Sequence, residues 1–520
     1  MSSTFYGLQI ARTGVFVSQK GLEVTGHNIA NANTPGYTRQ RLITSSIEGG
    51  MNYGIFTYTS KGQVGGGVDI QELTQIRDAF LDMQYRRESG TWGEWTVKTD
   101  ALQYIEGVFR EPSEAGINAV LADLFEDLHE LSKNPESKEI RTLVRQDAIK
   151  LTETLRHYYN QLVALQEEQD TAIKLTIDEI NDIVKSIRDL NEQIFKYEAG
   201  GERANDLRDK RNLLIDELST LIRVDYYEDP NGRFRIDLNG MPLVDHLSYR
   251  TLTVTKSKDN PVEGEANLYS IKWAGTDIEL NLSDIRGGKL KGYLEMRDGD
   301  GDKVNSLGIP YFVKKLNEFT KNIADAFNYI HSQGYTLPYG DNESRTGINF
   351  FTDDADGIEN ITAKNITVSK DIMESVYNIA ASSKPVYDDP TQIDDEPTET
   401  GNEPTGRGNN EIALQLADLR NKAIIKLEDG REIEGLENTI KSIIADLAVE
   451  ASHSSKMKEG QEILKYNLET QRLSVSGVSI DEEMTNLIQY QHAYSAAARM
   501  ITAIDQALDI LINRTGVVGR

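Results

Sequence analysis

Two stretches at opposite ends of the chain constrain its fold most. Near the start, Leu8, Val15, Leu22 and Ile29 recur every seven residues, with the small residues Ala11, Ser18, Thr25 and Ala32 between them. Near the end, Leu487, Tyr490, Tyr494, Ala497, Ile501, Ile504, Leu508 and Leu511 follow alternating steps of three and four. Both are heptad seams, and a heptad seam predicts a helix that buries one stripe against another helix. A matched pair at the two termini predicts that the ends of the chain meet as a coiled coil. Burying the four large N-terminal residues yields at most about 6–12 kcal/mol. Ordering some 25 residues of backbone costs about 25–50 kcal/mol before helix hydrogen bonds are counted. Gly7, Gly14, Gly21 and Gly26 weaken the segment by a further ~1 kcal/mol each relative to Ala. The N-terminal segment therefore needs partners, and the C-terminal helix and neighbouring subunits are the candidates.

The first seam runs into "NIANANTPGYTR" (28–39). Thr34 precedes a proline, which disfavours the helical conformation. Pro35-Gly36 suits the central positions of a type II turn, since proline presets φ and glycine supplies φ > 0. Asn28, Asn31 and Asn33 are placed to cap the last helical turn or to bond the turn backbone, and inter-subunit hydrogen bonds are their alternative use. The following "YTRQRLITS" alternates like a strand, so the stretch reads as a hinge between a helical end piece and the body.

Residues 70–224 read as long helices, including a near-heptad Ile173, Ile177, Ile180, Val184, Ile187 and Ile194 with polar Asn191 at one core step. The period then changes to alternation in "RFRIDLNG", "RTLTVTKS" and "LYSIKWAG", which predicts antiparallel strands. The whole is a mainly helical multidomain chain with terminal coiled-coil helices, a long helical rod domain and inserted antiparallel β structure. The expected divisions are a coiled-coil helix at 1–33 pairing with 480–520, and a hinge, extended segment and helical domain at 34–224. A β domain follows at 225–285, a return helix at 286–345, and a variable β/loop insert at 346–410 with a proline-rich acidic loop. A further helical section at 411–479 leads into the C-terminal helix at 480–520.

Acidic residues outnumber basic ones 83 to 56, for a net charge of −27. Such a surface repels phosphate backbones and anionic headgroups, so neither nucleic acid nor membrane is an expected partner. No apolar run reaches the roughly 18–20 residues of a membrane span, and "MSSTFYGLQIARTG" lacks the regions of a cleavable signal peptide. The chain has no cysteine, which removes disulfides and thiolate chemistry.

Chemistry-bearing motifs are incomplete. "RDGDGDK" (297–303) has the first acids of a calcium loop, but Lys303 and Ile309 occupy its glycine and glutamate positions, so a turn between a strand and a helix is expected. "KGQVGGGVDI" lacks the GK[ST] ending and the helix of a phosphate-cradling loop. Neither HExxH nor GxSxG occurs. No catalytic residue, metal or cofactor is expected. Tyr490 and Tyr494 read first as core residues at heptad positions, and second as hydrogen-bonding groups that reach a neighbouring subunit.

"TGHNIANANTPGYTRQR" resembles the N-terminal signature of bacterial flagellar axial proteins. "GGGVDIQELTQIRDAFLDMQYRRE", "NDLRDKRNLLIDELSTLI", "GGKLKGYLEMRD", "GNNEIALQLADLRNKAI" and the closing "GVSIDEEMTNLIQYQHAYSAAARMITAIDQALDILIN" are similar, in order, to the flagellar hook-associated protein 1 (FlgK) family. The resemblance implies an extracellular structural protein joining hook to filament, exported unfolded through the flagellar type III apparatus. It implies terminal helices around a central channel, assembling as they fold into a helical ring of copies. The implied partners are the hook protein, the second hook-associated protein on the filament side, and an export chaperone at the C-terminal region. The alternatives are another axial flagellar protein, such as hook protein or the second junction protein, or a secreted protein with an adhesive or enzymatic activity in its inserts.

Overall fold

A computed structural model describes residues 6–47, 65–109, 116–229, 232–302, 307–340, 342–387, 406–422, 424–426 and 432–513. The first helix, α1 (Tyr6–Ala30), lies against the last, α11 (Ile480–Asn513). Strands β1 (Gln40–Ile47) and β2 (Gly67–Gln75) form an antiparallel pair that packs on α1. The helical reading of 70–224 therefore starts too early. Val68 and Ile70 are followed by Leu73 in a polar-apolar alternation that pairs with β1, and helix begins only at α2 (Ala79–Phe109).

The body is organised on one helix. After α3 (Ile117–Lys133), α4 (Lys138–Glu198) runs for 61 residues, a length of about 90 Å. Ser137 caps it, its hydroxyl accepting from the Ile140 N–H at 3.3 Å. Two apolar cores form along it. Val144, Leu151, Leu155, Leu162 and neighbours join α3 and α7 (Ile309–His331) in the first. Ile173, Ile177, Ile180, Val184 and Ile187 join α5 (Asn205–Leu221), α6 (Lys289–Asp298) and the β structure in the second. Asn191, the polar step in that heptad, donates to the His246 carbonyl and accepts from Arg211.

A polar belt separates the cores. Asp170 on α4 accepts from Arg297 at 2.7 Å, and Gln166 donates to the Arg297 carbonyl at 3.0 Å. Arg297 is 1% exposed and also binds Asp298, which Lys258 neutralises from the other side at 2.6 Å. Asp298 of the calcium-like run is thus committed to two cations. The turn it opens joins two helices, not a strand and a helix, and the single return helix expected over 286–345 is two, α6 and α7. Leu290 and Leu294, one turn apart and buried, make the first of them helical where a strand was read.

Two antiparallel sheets cover the second core. One holds β3 (Asp225–Glu228), β4 (Phe234–Leu238), β5 (Met241–Asp245) and β6 (Ser248–Tyr249). The other holds β7 (Leu252–Lys258), β8 (Leu268–Trp273) and β9 (Glu279–Leu280). Residues 346–387, read as an insert, contribute Phe350, Phe351, Ile366 and Ile372, the last in the short helix α8 (Lys370–Glu374), to the first core. The acidic loop falls largely in 388–405, outside the described residues, as do Lys303 and residues 514–520. Helix α9 (Glu411–Asp418) closes the first core, and α10 (Leu436–Ser476) runs back along α2.

Candidate assembly interface

The two terminal helices run antiparallel and meet along a heptad of small residues. A Cβ on Gly7 would stand 3.3 Å from Ile504, one on Gly14 3.5 Å from the Ala497 Cβ, and one on Gly21 2.5 Å from the Tyr490 ring. The next step of seven brings Asn28 to Glu483, with the Asn28 amide donating to Oε2 at 3.0 Å. Gly7 and Gly21 therefore set the helix–helix distance, since a Cβ there crowds Ile504 and Tyr490, whereas one on Gly14 would make ordinary contact with Ala497.

Asn28 and Glu483 form a buried clamp at the base of this pair, 1% and 2% exposed. The Asn28 amide also donates to the Gln40 carbonyl at 2.9 Å, and its oxygen accepts from the Gln40 N–H at 3.0 Å and the Tyr37 hydroxyl at 2.7 Å. Glu483 accepts from Arg39 Nε at 2.8 Å, and Arg39 reaches Glu482 at 2.6 Å. Backbone bonds lock the same place: the Arg39 N–H donates to the Ser476 carbonyl at 2.9 Å, and the Ile76 N–H to the Arg39 carbonyl at 2.9 Å. Burial, reinforced by Asp206, Asp209 and Glu483, raises the Tyr37 phenol well above its usual range, so it stays a donor.

The hinge is seated on α5. One face of that helix presents Asn205, Asp209, Asn212 and Asp216 at steps of four, three and four. Asp209 accepts from the Thr38 N–H at 3.0 Å and Gln75 at 2.7 Å, while Asn205 donates to the Leu73 carbonyl at 3.0 Å. Burial pushes the Asp209 carboxyl up to about 6, against the opposing pull of Thr38 and Arg77. Further along, Asp216 binds Arg86 of α2 and Arg472 of α10, each at 2.6 Å. One helix thus fastens the hinge, the hairpin, α2 and α10 together.

The turn forms as the residues dictate. The Tyr37 N–H donates to the Thr34 carbonyl at 3.1 Å across Pro35-Gly36, and Gly36 has φ +76°. Asn31 caps α1 by donating to the His27 carbonyl at 3.0 Å, while Asn33 is exposed. Along the seam, Ala11, Ser18 and Thr25 are buried, but Leu8, Val15, Leu22 and Ile29 stand one position away from the line of contact and are half-buried. On α11, Leu487, Tyr490, Ile501, Ile504 and Leu508 are half-buried, whereas Tyr494 and Leu511 are 39% and 53% exposed. Sequence reasoning counted the glycines only as weakeners, and it missed Glu483, Arg39, Asp209, Asp216 and Arg472. One signal was available: Glu483, Tyr490, Ala497 and Ile504 share the spacing of seven with Gly7, Gly14, Gly21 and Asn28.

Among the described residues no group of three or more His, Cys, Asp or Glu is placed to hold a metal ion, and no helix is long and apolar enough to cross a membrane.

Comparison with known proteins places these features. Residues 102–351 match the family model of the flagellar hook-associated protein FlgK helical domain. Residues 8–38 match the flagella basal body rod protein model, and 469–514 the C-terminal model of flagellar basal body rod FlgEFG proteins. Flagellar hook-associated protein 1 of Bacillus subtilis (strain 168) is 31% identical, with 100% of both chains covered. Its counterpart from Salmonella typhimurium is 24% identical over 97% of this chain and 98% of its own. In fold, the chain is similar to the flagellar hook junction protein FlgK from Burkholderia pseudomallei, with a TM-score of 0.60 and 15% identity over 76% of this chain and all of that one.

Proposed function

Since the chain belongs to the flagellar hook-associated protein 1 family, we propose that it is a structural subunit of the junction between flagellar hook and filament and performs no catalysis. The observation that carries this reading is the match from end to end, both terminal helices included. In this reading the chain is extracellular and part of the flagellum. It binds hook protein on one side and the second hook-associated protein on the other, and a chaperone holds its C-terminal region before export. Copies associate in a helical ring.

The mechanism is coupled folding and assembly. Within one chain, α11 has Glu483 as its one buried residue among those described. Its apolar Ile488, Tyr494, Met500 and Ile512 are exposed, as is Phe16 on α1. These groups gain burial only when neighbouring copies supply it, so ordering of the pair is driven by association. The clamp at Asn28 and Glu483 fixes where the pair leaves the body, and Leu8, Val15, Leu22, Ile29, Tyr494 and Leu511 face the neighbours.

Electron microscopy of isolated hooks mixed with the full-length chain, or with a chain lacking residues 1–33, tests this. The full-length chain should decorate the distal hook tip and the shortened one should not. A folded full-length chain that leaves the tips bare, or decorates along the hook shaft, overturns it.

A further inference from the structure

A copy carrying a charge of −27 repels its neighbours, so close packing requires cationic surface where copies touch. One such surface stands out. A groove of about 980 Å³ lies between the start of α2, α5 and β3, and seven arginines line it against three acids, Asp82, Asp225 and Glu228. Several of its arginines are held in place by body carboxylates, such as Arg86 by Asp216 and Arg208 by Glu198. Arg87 keeps unused capacity: its side chain is 64% exposed, with only Glu88 at 4.0 Å among the described residues. The groove also carries apolar surface open to solvent: Phe80, Met83 and Tyr227 are 59%, 52% and 51% exposed.

The chemical complement is a ridge on α10. Ile463, Tyr466 and Leu473 lie on one face at helical spacing and are 55%, 68% and 55% exposed. The exposed acids Glu459 and Glu462 flank them. The bases of the same stretch turn inward, Lys465 over the Trp92 ring at 3.9 Å and Arg472 onto Asp216 at 2.6 Å, which leaves the outer face acidic and apolar. Tyr85, Trp92, Trp95 and Asp100 of α2 meet α10, whereas Phe80, Met83 and Arg87 line the groove; Asp82 does both, lining the groove and standing 3.7 Å from Arg472. Among the described residues, none covers Phe80, Met83 and Arg87 in the groove or Ile463, Tyr466 and Leu473 on the ridge, all of which stay exposed.

Resting on the junction reading, we propose that the α10 ridge of one copy docks in the arginine-lined groove of the next. Acid meets guanidinium and Tyr466 meets Phe80 and Met83. Because the two patches differ, the contact is heterologous, the type that propagates copies into a ring or helix. It would form a second ring of contacts, in the body, beside that of the terminal helices.

The test places a photo-crosslinker in the groove of the full-length chain, as Phe80→p-benzoylphenylalanine and separately as Met83→p-benzoylphenylalanine. The chain is assembled on isolated hooks and irradiated, and the band of dimer mass is digested for mass spectrometry. The expected adducts fall in residues 459–473 of a second copy. R87E should cut the dimer band about threefold, and mixing with copies carrying E462R should restore it. Adducts to hook subunits or to another region of the chain overturn the proposal, as does a decorated tip with no adduct from either position. Bare tips with the unsubstituted chain overturn the junction reading itself, a separate outcome.

Discussion

Asn28 satisfies four polar groups at once, and no other side chain of its size offers two donors and an acceptor in one plane. Asn28→Ala leaves the Glu483 carboxylate and the Gln40 backbone short of partners in a buried site, a loss of about 3 kcal/mol at 1–3 kcal/mol per orphaned group. Asn28→Asp keeps the shape but sets an oxygen where the amide stood 3.0 Å from Glu483, so it should loosen the clamp more than alanine at pH 7 and recover on acidification. Limited proteolysis at the 34–40 hinge reads both; an aspartate variant as resistant as the parent at pH 7 defeats the argument. The glycines of α1 give a second contrast. Gly26 has nothing within 4 Å of a Cβ position, so Gly26→Ala should strengthen α1 by about 1 kcal/mol. Gly21→Ala drives a methyl into the Tyr490 ring and should weaken the helix pair, unless Tyr490→Ala is added, when the propensity gain returns. Hydrogen exchange over residues 21–30 ranks the variants, and equal protection in the two single variants contradicts the close-approach reading.

At the scale of elements, the helices divide by where their burial comes from. Helix α4 buries two heptad stripes within its own chain, whereas α11 leaves most of its apolar side chains open. In the free chain, amides of residues 6–20 and 490–513 should therefore exchange within seconds while those of 144–187 in α4 persist for hours. Strong protection of α11 in a monomer would contradict coupled assembly. The same division explains what the sequence made legible. Periodicity revealed α4, α11 and the strands near 225–280, because each buries a regular stripe. On α1 it marked Leu8, Val15, Leu22 and Ile29 and passed over Gly7, Gly14 and Gly21, because the side of α1 that touches α11 is marked by absent side chains, and hydrophobic pattern reading weights large ones. The Pro35-Gly36 turn was readable from two residues whose φ preferences are intrinsic. The seat for that turn on α5 was not, since Asp209 meets Thr38 across 171 positions and nothing local marks a carboxylate as buried. The break between α6 and α7 was misread because Leu290, Tyr293 and Leu294 fit either period in so short a run.

For the whole molecule, two buried titrating groups act in opposite directions over one pH window. His331 sits in the first core, one ring nitrogen 2.7 Å from the Ile348 carbonyl and the other accepting from the Ala380 N–H at 2.8 Å, so it must be neutral. Burial pulls its imidazole down to about 4. A histidine whose folded value lies below the unfolded one gives stability that is present above about pH 6.5 and lost as pH falls toward 4. Asp209, pushed up to about 6 by burial, works the other way: the folded state binds its proton first, so acidification from pH 7 relieves a cost. Burial and the neighbouring Asp147 raise Asp127 to about 6 as well, with the same sign. The parent chain should consequently show a shallow dependence between pH 7 and 5. His331→Gln can keep a donor toward Ile348 and an acceptor toward Ala380 without a titrating group. Its stability relative to the parent should rise by about 2 kcal/mol between pH 7 and pH 5, and its own stability should increase on acidification as the carboxylate contribution stands alone. Urea melts of both chains across that range decide it. A constant offset between the two would mean that His331 is not the group that opposes Asp209, and a decrease in the glutamine variant would mean that the Asp209 carboxyl is not held above its ordinary range.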